Sequence, residues 1–318
     1  MLEYKKAPYL ELEDYKLPEG GNFIYIPMHD NKNIRLAYWQ LPKTNKLCRG
    51  TVLLQQGHNE FIEKYYETIQ DLINRNFNVI SFDWRGQGMS DRMIANENKQ
   101  YIEDFSIHCQ DLNFIIKKII NDKFPKPLIG IGHSMGGHLL LLSQENNQDK
   151  FSSIILSAPM LGFKYEKALF VISDLIKYFS DKKNYFSLSK PNMGKETPFE
   201  QNDLTSDYKR YQRTQNLVRK KNQIRLWGVT NAWVNAVKKS LLKIRKKNWS
   251  KNIDISICIV NPLNDRVVCP EKTIKMAKNL KNCKLINVND CEHEILMEKN
   301  ELRSIFWNAF DEHLNLKI

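Results

Sequence analysis

Residues 127–142 read Pro-Leu-Ile-Gly-Ile-Gly-His-Ser-Met-Gly-Gly-His-Leu-Leu-Leu-Leu. A short apolar run from Leu128 ends in Gly132-His-Ser-Met-Gly136, and apolar residues at helical spacing take over from Met135. A buried strand that turns this sharply into a helix belongs to a chain in which strands and helices alternate. It argues against both an all-helical bundle and a β-sandwich. Glycines suit such a turn because they carry no Cβ to clash across it.

The alternation recurs on either side. Thr51-Val-Leu-Leu, Val79-Ile-Ser-Phe, Ile154-Ile-Leu, Ile255-Ser-Ile-Cys-Ile-Val and Leu285-Ile-Asn-Val are short, continuous and apolar, as strands buried on both faces should be. Ile62–Asn74, Leu112–Ile120 and Met135–Leu142 repeat apolar residues at helical spacing. Asn22-Phe-Ile-Tyr-Ile and the run from Ile34 to Leu41 flank a polar turn, His29–Asn33, which predicts a β-hairpin. The expected fold class is α/β, with a mostly parallel central sheet flanked by helices.

Between residues 161 and 250 strand signals vanish and helical ones dominate. Ala168–Phe179 and Gly228–Lys247 are helix candidates, the latter with Val229, Trp233, Val237, Leu241 and Ile244 at helical spacing. The expected organisation is a core of residues 1–160 and 251–318 interrupted by a helical insertion, 161–250. That insertion holds 20 Lys+Arg against 7 Asp+Glu, a net of +13, whereas the whole 318-residue chain nets +12. The positive charge therefore sits in the insertion.

No run of 18 apolar residues predicts a membrane-spanning helix. The first residues, Met1-Leu-Glu-Tyr-Lys-Lys, carry charge where a signal peptide needs an apolar stretch, so the expected location is cytoplasmic. Cys48, Cys109, Cys258, Cys269, Cys283 and Cys291 form no C-x-x-C pair and read as reduced, mostly buried thiols. Cys291 and His293 are too isolated for a zinc site, and no metal or organic cofactor is expected.

The Gly132–Gly136 turn also carries chemistry. A serine hydroxyl is a poor nucleophile unless it is raised, exposed and given a base, and a strand-to-helix turn presents Ser134 in that way. The helix beginning at Met135 adds the positive end of its dipole. In this arrangement the acid and base follow the serine in chain order Ser, Asp/Glu, His. His293 follows the last strand in Asp290-Cys-Glu-His293-Glu, while His313 sits in a C-terminal helical stretch and reads as a surface residue. Asp265, in the polar turn Leu263-Asn-Asp-Arg266, can fix the imidazole; Asp290 and Asp254 are worse placed on their strands. The oxyanion needs two backbone donors: the N–H of Met135 and that of His58, in the loop Gln56-Gly-His-Asn-Glu60. Glu60 and Lys64, four residues apart, suit an ion pair bracing this loop.

With these residues in view, the chain resembles the α/β-hydrolase superfamily, specifically the serine hydrolases of the monoacylglycerol lipase and bacterial lysophospholipase L2 group. The resemblance rests on Gln56–Glu60, on Asp83-Trp-Arg-Gly-Gln-Gly-Met-Ser-Asp91, on Gly132–Gly137 and on Asn264-Asp-Arg-Val-Val268. Asn202-Asp-Leu-Thr-Ser-Asp207 with Arg210-Tyr211, and Glu292–Glu298, are similar to motifs of the same group. It implies a nucleophile at Ser134, an acid at Asp265, a base at His293 and a cap formed by the insertion. The chain departs from the group at Gln56, where many relatives carry His, and at Asn261-Pro262, where Gly is usual.

The resemblance implies a serine hydrolase of single-acyl-chain lipids, with a lysophospholipid first and a monoacylglycerol or general carboxylic ester second. An Asp-nucleophile enzyme is disfavoured by Ser134, and a catalytically silent binding protein by the presence of all three residues. Phe163, Leu169, Phe170, Ile172, Ile176 and Phe179 could line an acyl tunnel, but apolar helical stripes more often pack onto a core. Arg219-Lys-Lys221, Lys238-Lys239 and Lys243-Ile-Arg-Lys-Lys247 suggest peripheral contact with the anionic inner face of a membrane. Arg85, Arg92 and the cap cations are candidates for a phosphate head group. No nucleic-acid fold signature accompanies the positive charge, so nucleic acid is not an expected partner.

Overall fold

A computed structural model describes residues 4–42, 47–189 and 191–316, apart from the side chains of Asp122 and Lys247. Its main sheet is eight-stranded: β1 (Gly21–Pro27), β2 (Asn33–Trp39), β3 (Thr51–Gln55), β4 (Asn78–Phe82), β6 (Leu128–His133), β7 (Ser153–Ser157), β9 (Ser256–Pro262) and β10 (Cys283–Val288), in the order β1-β2-β4-β3-β6-β7-β9-β10. The expected hairpin is β1–β2, which pairs antiparallel and joins β4 antiparallel; all other neighbours are parallel.

Parallel strands require crossovers, and helices supply them. These are α1 (Tyr66–Asn74), α2 (Phe105–Ile115), continued through a π-helical turn into α3 (Asn121–Lys123), α4 (Ser134–Asn147) and α9 (Pro270–Ala277); α10 (Asn300–His313) follows the last strand and covers the sheet. Strand residues alternate between two apolar layers. Leu53, Ile154, Leu156, Ile257 and Ile259 face α2 and α4, while Val52, Leu54, Ile155, Cys258 and Val260 face α1 and α10. The continuous apolar runs exist because both faces are covered. His313 is not a surface residue: it is half-buried, with Nε2 2.6 Å from the Ser153 hydroxyl. All six cysteines are free thiols, but Cys258 and Cys291 alone are fully buried.

Among the described residues, those from 161 to 250 add nothing to the main sheet. They form α5 (Glu166–Ile176), α6 (Tyr208–Lys220), α7 (Asn231–Ile244) and α8 (Lys247–Lys251). One expectation fails here. Gly228-Val229 is a strand, β8, pairing in parallel with β5 (Lys99–Gln100), so α7 begins three residues later than its apolar spacing suggested. The Thr230 side chain accepts from the Trp233 N–H, and this cap sets the helix start. Helix α6 was not foreseen: it is strongly polar, and its buried face amounts to Tyr211, Gln215, Leu217 and Val218.

Candidate functional site

The carboxyl ends of parallel strands share one edge of the sheet, and four connections gather there. β3 leads into Gln56–Phe61, β6 into Ser134, β9 into Asp265 and β10 into His293. Ser134 opens α4 with φ of +50°, a left-handed backbone that few non-glycine residues adopt without a reason. Strand and helix touch at the turn: a Cβ on Gly132 would lie 2.6 Å from the Gly137 Cα. The Gln56–Phe61 loop lies equally close, since a Cβ on Gly57 would sit 3.0 Å from that of Ser134.

Asp265 Oδ2 lies 2.6 Å from His293 Nδ1, with both side chains almost fully buried. The other carboxylate oxygen accepts the N–H groups of Val267 and Val268, at 2.8 and 2.9 Å. An ionised carboxylate only accepts, so Nδ1 carries the proton and Nε2 is left as a base. Ser134, His133 and His293 line one cavity of about 250 Å³ with Gly57 and His58. The sequence-derived candidates Ser134, His293 and His58 thus meet at one cavity, Asp265 stands directly behind His293, and Met135 follows Ser134 in the first turn of α4.

The His58 imidazole is not an alternative base. Burial pulls its pKa down to about 4, its Nε2 is buried without a hydrogen-bond partner among the described residues, and its ring lies 4.8 Å from that of Trp233. Burial likewise pulls His133, next to His293, down to about 3.

Two supports hold the site, and only part of one was evident from sequence spacing. The turn containing Trp84 and Gln87 holds the Gln56–Phe61 loop by its backbone. Trp84 Nε1 donates to the Gln56 carbonyl (3.0 Å), Gln87 Nε2 to that of Gly57 (3.1 Å), and Gln87 Oε1 accepts from the Asn59 N–H (2.8 Å). That is the structural content of the Asp83–Asp91 motif. The predicted Glu60–Lys64 pair exists, but buried and extended: Lys64 Nζ is 2.6 Å from Glu60 and 2.6 Å from Glu294, the residue after His293. Burial alone would raise Glu60 and lower Lys64; their attraction outweighs it, leaving Glu60 at about 2 and Lys64 raised. Glu60, His133 and Glu294 have ligand-type atoms within 4.8 Å of one another, yet the Lys64 ammonium already supplies the cation both carboxylates need.

The inserted segment contributes the opposite wall through Leu204, Thr205, Tyr211, Gln215, Val218 and Arg225. The Asn202–Asp207 motif ties it to the histidine loop: Glu294 N–H donates to the Leu204 carbonyl, Thr205 Oγ1 to that of Met297 and Ser206 Oγ to Glu298. The proposed tunnel residues are elsewhere. Phe170 is buried in the core, Phe163, Leu169, Ile172 and Ile176 pack against it, and Phe179 is exposed. Arg85 is held by Asp111 and Asp30, and Arg92 by backbone carbonyls such as those of Ser90 and Gly88; neither lines the cavity.

The family described as serine aminopeptidase, S33, matches residues 47–300. The chain belongs to that family. Curated relatives match most of the length. The probable lysophospholipase L2 of Haemophilus influenzae is 26% identical over 307 residues, 95% of each chain. The lysophospholipase L2 of Escherichia coli K12 is 24% identical, over 83% of this chain and 80% of the relative. The fold matches that of a soluble variant of monoglyceride lipase from Saccharomyces cerevisiae, solved with a substrate analogue, with a TM-score of 0.73 at 20% identity over 97% and 99% of the two chains. The chain is an α/β-hydrolase.

Proposed function

We propose that this carboxylic ester hydrolase cleaves lysophospholipids through an acyl-enzyme on Ser134. The observation that carries the reading is the 2.6 Å contact between Asp265 and His293, beside a cavity that His293 and Ser134 share. The lysophospholipase L2 relatives, similar over 83–95% of this chain, support the lipid class.

In this reading His293 Nε2 takes the Ser134 proton as the hydroxyl attacks the ester carbonyl. The His58 and Met135 N–H groups hold the resulting oxyanion. The N-terminal end of α4 adds a favourable dipole beneath it. His293 returns the proton to the departing glycerol oxygen. Water, deprotonated by the same imidazole, then releases the fatty acid and restores Ser134. No step requires a metal or cofactor. An exopeptidase site would need a free carboxylate for the substrate's ammonium group. Both Glu60 and Glu294 are occupied by Lys64, which favours an ester.

Residues 161–250 act in this reading as a cap, since their side chains form one wall of the cavity. Among the described residues no helix is long and apolar enough to cross a membrane. Peripheral contact with an anionic membrane remains part of the proposal, but on a different face from the one the sequence suggested. Arg219, Lys238, Lys243 and Arg245 are paired with Glu196, Asp174, Glu145 and Glu166. Val171, Leu175, Tyr178 and Phe179 instead form an exposed apolar stripe along and just beyond α5, with Lys164 and Lys167 nearby in the chain.

A fluorophosphonate probe should label the protein, and S134A should abolish labelling and lower fatty-acid release from lysophosphatidylethanolamine by at least ~10⁴-fold. Hydrolysis of monoacylglycerol with none of lysophosphatidylethanolamine would replace the lysophospholipase reading with the monoacylglycerol one. An unlabelled wild type would remove both.

A further inference from the structure

Among the described residues three cations line the Ser134 cavity, and two are spoken for. Lys64 lies between Glu60 and Glu294. Arg210 is held by Glu67 and Asp207, and also donates to the Glu298 carbonyl and the Asn300 side chain. Arg225 differs. Its guanidinium donates to the neutral Gln215 Oε1 at 2.5 Å and has no carboxylate within ion-pairing distance among the described residues. Burial lowers its pKa from the ordinary arginine value, with Tyr211 and Glu196 too weak in their attraction to offset the loss of water. A half-buried, always-charged fork that faces a cavity without a counter-ion has spare N–H donors for an anion.

The position of Arg225 is also fixed relative to the chemistry. Its neighbour Leu226 is buried and bonded through both backbone groups to one side chain: its N–H donates to Asn59 Oδ1 (2.6 Å), and Asn59 Nδ2 donates to its carbonyl (3.1 Å). Asn59 directly follows His58, whose N–H donates to no acceptor among the described residues. The backbone carrying the unpaired guanidinium is therefore pinned to the loop that carries the oxyanion donor. In a lysophospholipid the phosphate is separated from the ester carbonyl by the glycerol backbone, so an ester held at the His58 amide keeps its phosphate close to the same loop.

The geometry points to Arg225 as the group that binds the substrate's phosphodiester and so selects lysophospholipids over monoacylglycerols, an inference that rests on the lysophospholipase reading above. The partner is the phosphate rather than the base attached to it. Head groups with the same phosphodiester should therefore be accepted alike.

The test compares kcat/KM for lysophosphatidylethanolamine with that for a monoacylglycerol of the same acyl chain, in wild type, R225M and R225K. Losing a charged hydrogen bond to phosphate is expected to lower the lysophospholipid-to-monoacylglycerol ratio by about 10- to 100-fold in R225M, with the loss mainly in KM. R225K should recover a substantial part of it. An equal fall for both substrates, leaving the ratio unchanged, would assign Arg225 a structural role and overturn the inference. A wild type that ignores lysophosphatidylethanolamine overturns the lysophospholipase reading itself, which no variant is needed to see. A second measurement does not depend on the variant's folding. Glycerophosphoethanolamine should inhibit wild-type cleavage of a short soluble ester at least tenfold more strongly than glycerol does, and equal inhibition by the two contradicts phosphate binding.

Discussion

The carboxyl edge of the sheet and the inserted segment are both dense in charge, but they use it in opposite ways. At the sheet edge the charges are few and buried. Arg35 joins Glu63 and Asp83 with all three side chains fully enclosed, and Lys64 joins Glu60 to Glu294 almost as deeply. Each cation bridges two carboxylates, and removing it would strand both in a dry interior. On the inserted segment the charges are many and wet. Lys243–Glu145 and Arg219–Glu196 are substantially exposed pairs, worth little individually. Several of these pairs join insertion lysines and arginines to acids of the core. The formal charge of a segment is thus a poor guide to the charge it presents to a partner.

K64M should break the contrast most visibly if the contrast is real. Stranding Glu60 and Glu294 without their cation is expected to lower unfolding free energy by about 3–5 kcal/mol in urea titration, whereas K243A on the insertion should change it by less than about 0.5 kcal/mol. Similar losses for the two would erase the distinction. The next effect concerns the membrane. Burying an aromatic side chain is worth about 1.5–3 kcal/mol, so F179D should weaken binding to anionic vesicles by roughly tenfold or more. K243A, which removes a lysine already paired with Glu145, should alter it by less than about twofold. A larger effect of K243A would return the docking role to the basic helices.

The smallest effect tests the junction of the two regions. Glu67 on α1 accepts from Arg210 and Arg213 of α6; burial would raise its pKa, but these arginines hold it at about 2 against an ordinary 4.5. A carboxyl depressed on folding stabilises the protein above its unfolded pKa, and that contribution disappears as pH falls from about 4.5 toward 2. E67Q should therefore cost about 1–2 kcal/mol at pH 7, after discounting for partial solvent screening, and should flatten the acid limb of the stability curve across that window. An unchanged limb would show that the junction does not depend on this pair.

The same contrast explains what could be read before the fold was known. Ser134, Asp265 and His293 were legible because each sits at a strand end, where a short apolar run, a turn and a helix signal fix the position within a few residues. The hairpin β1–β2 was legible for the same reason. The insertion was readable as helical and basic but not in detail. β8 is two residues long and exists because Lys99-Gln100 offers it an edge, a pairing no local pattern announces. Helix α6 is polar because half of its work is ion pairing with α1 and with Glu196. Arg225 looked like one cation among twenty. Only its place on the cavity wall, beside Lys64 and Arg210 that are already paired with carboxylates, set it apart.

The double bond-pair between Asn59 and Leu226 has a mechanical implication. It ties the chain around Leu226 to the Gln56–Phe61 loop beside Ser134. Moving that stretch away would either snap both links or drag the loop with it. One wall of the cavity and the loop next to the serine therefore share one hinge pin.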